Sequence, residues 1–86
     1  MLNAEIGHAK NMTATGTVKA VSGQLLGFYV NNTSAGTVVL RDGGASGRAL
    51  SGTITPAIGF HRFPCTFQTD LHFTEGGALD ITFFVT

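Results

Sequence analysis

The chain has 86 residues, 43% of them hydrophobic and 12% charged, with five Lys or Arg balanced by five Asp or Glu. That length holds one domain and no second core, and so short a chain buries only about 60% of its extended surface, which makes it lean on disulfides, metals or partner subunits. A single cysteine, Cys65, excludes an internal disulfide, and the cations Lys10, Lys19, Arg41, Arg48 and Arg62 are too scattered for a nucleic-acid partner.

Leu2 to Met12 is the only stretch of helix-like composition, but it is short and contains Gly7, so residues 1–12 are read as an N-terminal arm. Met1-Leu2-Asn3-Ala4-Glu5 lacks the basic and apolar blocks of a signal peptide, and no run reaches the ~20 apolar residues of a membrane helix. The expectation is a chain made in the cytoplasm, with a reduced thiol and no membrane partner.

From Thr13 onward Thr, Val, Phe and Ile dominate and alternate in polarity between glycine-bearing turns, predicting strands throughout residues 13–86. The first covers Thr15–Val21, with Val18 and Ala20 inward. The second, Gln24–Asn31, puts Leu26, Phe28 and Val30 inward and Leu25, Gly27 and Tyr29 on the other face. Asn31 to Gly36 is a run of turn formers, and Thr37–Arg41 follows as the second arm of a hairpin with Val38 and Leu40 inward. After the loop Asp42–Gly47, Ala49–Thr55 alternates again, and Pro56 ends it. Ile58–Phe63 is stopped by Pro64, Leu71–Thr74 leads into a Gly76-Gly77 turn, and the final strand, Leu79–Thr86, faces Leu79, Ile81, Phe83 and Val85 inward. Seven short strands at this spacing predict a single small antiparallel β-sandwich or jelly-roll-like domain behind the arm.

The chemistry-bearing residues are dispersed. A catalytic thiol would pair Cys65 with His61 or His72, but Pro64 puts the first two in an irregular connection, and a half-buried structural cysteine is the simpler reading. His8, His61 and His72 lack zinc spacing, and Asp42, Asp70, Glu75 and Asp80 lack the alternation of a calcium loop. A lone His on the axis of a symmetric trimer is the one arrangement that could still gather ligands. Gly43-Gly44-Ala45-Ser46-Gly47 has neither the lysine nor the helix of a phosphate loop. No metal, cofactor or reaction is expected.

One pattern is not chemical. The face that should be polar if it met only water carries Leu25, Tyr29, Val39 and Phe84, which reads as a subunit interface. The alternative is a carbohydrate- or receptor-binding module using Asn31, Asn32, Arg41 and Asp42, with Tyr29 as its exposed aromatic.

Gly23-Gln24-Leu25-Leu26-Gly27-Phe28-Tyr29-Val30-Asn31-Asn32, the segment Val39-Leu40-Arg41-Asp42-Gly43, and the ending from Leu71 through Gly76-Gly77-Ala78-Leu79-Asp80-Ile81-Thr82 to Val85 resemble small all-β virion proteins of tailed bacteriophages. The chain departs from them at Asp70, where such proteins often carry a glycine. The resemblance spans nearly all of the chain after the arm. It implies a structural role as a head decoration or cementing protein, a head fibre or a tail accessory protein. It further implies a homo-oligomer, commonly a trimer, with the major capsid protein or another virion protein as partner, and it supplies no catalytic residues.

Overall fold

Residues 8–86 are described by the computed structural model, and their β-branched and aromatic runs build six strands: β1 (His8–Met12), β2 (Gly16–Lys19), β3 (Gly23–Asp42), β4 (Arg48–Ala49), β5 (Gly59–Phe67) and β6 (Leu71–Val85). All belong to one antiparallel sheet. The long strands β3 and β6 run side by side as a ribbon. At one end β1 flanks β6 and β5 flanks β3; at the other, β2 flanks β6 and β4 flanks β3. Arm residues 8–12 are therefore part of the sheet, and residues 1–7 lie outside the described residues.

The ribbon cannot be straight. Twenty residues at ~3.3 Å each would reach about 66 Å, whereas the longest dimension of the molecule is 39 Å. Phe73 and Phe83, ten residues apart on β6, would lie about 33 Å apart along a straight strand, yet their ring centroids are 5.2 Å apart. The ribbon is folded over in its middle so that its two halves face each other across one core, which gives a single sheet the layering of a sandwich.

The fold-over explains why the predicted hairpin is absent. The halves of β3 do not pair with each other; each pairs with one half of β6, Ser34 facing Ala78 and Thr37 facing Gly76. The turn formers on the two strands thus lie opposite one another and bend both strands as a unit. Ala35 and Gly77 have positive φ, 55° and 71°, and a side chain on Gly77 would strike the Ala35 carbonyl. The Thr33 hydroxyl accepts the Gly36 N–H at 3.1 Å, and the Glu75 carboxylate accepts the Leu79 N–H at 3.2 Å, so each strand is tied across its own bend.

Two further boundaries differ from the sequence reading. Pro64 does not stop β5, because β5 is an edge strand and Pro64 sits where the ladder to β3 is already interrupted, between the pairs Leu25 to Cys65 and Gly27 to Arg62. The predicted strand Ala49–Thr55 shrinks to Arg48–Ala49 and an isolated bridge from Ile54 to Val38. There the Ser51 hydroxyl accepts the Leu40 N–H at 3.0 Å in place of a ladder carbonyl.

Among the described residues thirteen apolar side chains form the core, with Phe28, Val30, Val38, Leu40, Leu71, Phe73, Ile81 and Phe83 all but sealed from solvent. The inward set read from the last strand, Leu79, Ile81, Phe83 and Val85, is buried as expected. The second strand departs from its simple alternation. A bulge at Leu26 lets Leu25 return to the inner face, where it is 1% exposed, and leaves Leu26 half-buried outside.

The loops at the far end of the ribbon are locked by two carboxylates. Asp42, buried at the end of β3, accepts the N–H groups of Gln68 at 2.8 Å, Thr69 at 2.9 Å and Asp70 at 3.4 Å, and pairs with Arg48 at 3.6 Å. Asp70 returns the favour, accepting the N–H groups of Gly43 and Gly44 at 3.0 and 2.9 Å. The Gln68 and Thr69 N–H groups, helped by the Asp70 backbone N–H and the Arg48 cation, outweigh the opposing effect of burial and hold the Asp42 carboxyl below its ordinary value of 3.8.

Phe83 packs on Phe28 and Phe73 with centroids 5.8 and 5.2 Å apart. Phe83→Ala is expected to cost about 3–5 kcal/mol of folding free energy, a large share of the roughly 5–15 kcal/mol typical of a domain, read as a collapse of the thermal transition. Because the folded pKa of Asp42 is depressed, its contribution to stability is present above the unfolded carboxylate range and is lost as the pH falls through the folded value. Asp42→Asn should therefore lower Tm at neutral pH and flatten the loss of Tm below about pH 4, measured by circular dichroism melts across pH.

Candidate functional site

Alternation along four strands builds the outer face of the half flanked by β1 and β5. Reading across the ladder, one row is Asn11, Thr82, Tyr29 and Phe60, and the next is Ala9, Phe84, Gly27 and Arg62. Tyr29 is 42% exposed and Phe60 56% exposed, and the half-buried Phe84 lies 6.0 Å from Phe60, centroid to centroid. Gly27 makes this contact possible. A Cβ there would strike the tip of the Phe60 ring and the His61 carbonyl, so the glycine leaves room for rings from β5 and β6 to meet over β3.

Beside the aromatic cluster is a polar one on the same face. The Asn11 amide donates to Asp80 Oδ1 at 2.8 Å and Thr82 Oγ1 at 3.1 Å, and the Asn31 amide donates to the same two oxygens at 3.3 and 3.0 Å. A bulge that puts both Asn31 and Asn32 opposite Asp80 brings Asn31 into reach. An open cleft of about 180 Å³ adjoins it, lined by Asn32, Thr33, Ser34, Ala78, Leu79 and Asp80. A second groove of about 290 Å³ follows the Leu26 bulge between β3 and β5, with Leu26, Pro64 and Cys65 in its walls.

The four residues read as an interface are not one patch. Tyr29 and Phe84 share the face just described. Val39 is half-buried on the outer face of the other half, beside Thr74, and so points away from them. Leu25 is in the core, a correction that follows from the Leu26 bulge, since one inserted residue exchanges the faces of everything before it. Phe60 takes its place. Its parity with Arg62, Pro64 and Thr66, against the inward His61, Phe63, Cys65 and Phe67, was present in the sequence. The residues of the alternative binding site also separate: Asn31 and Asn32 lie at the bend, while Arg41 and Asp42 end β3, with Asp42 committed to the loop lock.

The groups weighed for catalysis are similarly apart. Cys65 and His61 are four residues apart on β5, about 13 Å along a strand, and His72 lies on the outer face of the other half between Thr17 and Arg41. Burial, with a smaller push from Asp42, raises the Cys65 thiol above its ordinary value, so little thiolate is present at neutral pH. His61 stacks on Phe28 at 5.3 Å and its Nε2 lies 2.8 Å from the Ala57 carbonyl oxygen. Among the described residues no three His, Cys, Asp or Glu side chains converge as metal ligands. No protein-family model, no curated protein and no solved structure matches the chain.

Proposed function

We propose that this chain is a non-enzymatic virion component of a tailed bacteriophage, a capsid decoration or cement protein that self-associates and attaches to a larger protein surface. The observation that carries the reading is the outer face of Tyr29, Phe60 and Phe84. Three aromatic rings occupy positions that alternation assigns to water, and a sheet face facing only water is ordinarily polar. The low charged fraction points the same way, because a free monomer gains its solubility from charge. Many weakly attached copies on a regular lattice are held firmly when their contacts are made together.

A second reading, a carbohydrate- or receptor-binding module, is favoured by one observation. The fixed amides of Asn11 and Asn31 and the Asp80 carboxylate adjoin both the exposed aromatics and an open cleft, the pairing of apolar platform and directed polar groups that a sugar ring requires. The readings separate by copy number. A decoration protein is present on purified particles in a multiple fixed by capsid symmetry, measured by quantitative mass spectrometry, whereas a receptor module is scarce on each particle and is retained on a glycan array.

Light scattering at ~10–100 μM should show a multimer with a concentration-dependent Tm. Phe60→Ala should weaken association or particle attachment by roughly 1–3 kcal/mol while leaving the circular dichroism spectrum of the fold unchanged. A monomer throughout that range, absent from purified particles, would contradict the proposal.

A further inference from the structure

Among the described residues, the face that carries Tyr29, Phe60 and Phe84 also carries one charge of each sign, placed symmetrically about Tyr29. Asp80 pairs with Asn32, one strand to one side of Tyr29 and one outward position before its row. Arg62 pairs with Gly27, one strand to the other side and one outward position beyond. With strands ~4.8 Å apart and outward residues ~6.8 Å apart, Tyr29 is the midpoint and each charge lies about 8 Å from it. Arg62 is exposed, and the one ion pair among the described residues is Arg48 with Asp42. Asp80 uses Oδ1 for Asn11 and Asn31, and none of the described residues hydrogen-bonds to its second oxygen. The other positions in the two rows, Ala9, Asn11, Gly27 and Thr82, are uncharged, so nothing there repels a copy of itself.

We infer that this face pairs with the same face of a second copy about a twofold axis passing through Tyr29, with Arg62 of each copy against the partner's Asp80. The inference rests on the self-association proposed above and names its surface and symmetry. A twofold contact exchanges residues, so a cation and an anion equidistant from the axis form two identical bridges. Tyr29, Phe60 and Phe84 fill the space between, and their burial excludes water from the bridges, which strengthens them. The resemblance to phage proteins implies a trimer. The placement of these charges points instead to a pair.

The experiment measures the dissociation constant of the full chain by sedimentation equilibrium for wild type, Arg62→Glu, Asp80→Lys and the double variant, with circular dichroism melts as a folding check. Each single reversal sets like charges together and should weaken pairing roughly tenfold or more, while the double variant restores it to within about threefold of wild type. Asp80→Lys also removes the acceptor for Asn11 and Asn31, so Tyr29→Cys in a Cys65→Ser background supplies a second readout. A short bismaleimide should capture covalent dimers, since a residue on the axis meets its own copy. A trimeric mass, reversals without effect, or a folded double variant left as weak as the singles overturns the twofold pairing and leaves self-association standing. A wild-type chain that stays monomeric overturns both, and a monomer retained on immobilised glycan assigns the face to sugar instead.

Discussion

The structure depends on two bends being in register. Residues 34–37 of β3 face Gly76 to Ala78 of β6, and because both strands turn at the same height the ribbon folds without breaking its ladder. Only then can Phe73 reach Phe83 and Leu40 share a core with Val30. A straight ribbon would offer one apolar face to water along its whole length, and a bend in one strand alone would tear the hydrogen bonds of the other. Gly36, Gly76 and Gly77 lie at this point for steric reasons, since side chains there would meet Leu79, Thr37 and Ala35. The conformational cost of glycine is concentrated where the fold needs it.

Much of this was legible in the sequence because alternation in a strand is strict. Val38, Leu40, Leu71, Phe73 and the set from Leu79 to Val85 are inward by parity alone, and they are inward in the structure. What parity does not carry is pairing. The segments Asn31–Gly36 and Gly76-Gly77 were visible as turns, but a turn residue does not say whether the chain reverses or bends with its neighbour. The choice is made by the partner strand, forty residues away. Bulges are hidden for the same reason: Leu25 and Leu26 are chemically identical, and only pairing with Cys65 and Val85 decides which is the inserted one.

The candidate site shows the same division. Tyr29 and Phe84 were found from the sequence, since each breaks the polar rhythm of its own strand. Phe60 was not, because Pro64 suggested an interrupted strand, and its outward parity becomes plain only when β5 runs on to Phe67. Gly27 was placed on the outward face with Tyr29 by alternation alone. Its role is to make room for the ring on the neighbouring strand, which is a property of two strands and not of one. Asp42, read from the sequence as the start of the loop Asp42–Gly47 and as part of the alternative binding site, proves to be the buried anchor of a loop that joins two other strands.

The central claim is that the aromatic outer face is covered in the working state of the protein. Hydroxyl-radical footprinting read by mass spectrometry, on the free chain at low and high concentration and on assembled particles, tests it at the side chains themselves. The account predicts that oxidation of Tyr29, Phe60 and Phe84 falls together as the protein assembles, while that of Val21, a loop residue exposed at 61% and a member of neither ladder row of this face, stays constant. Equal oxidation of the three aromatics in the free, concentrated and particle-bound protein would contradict it.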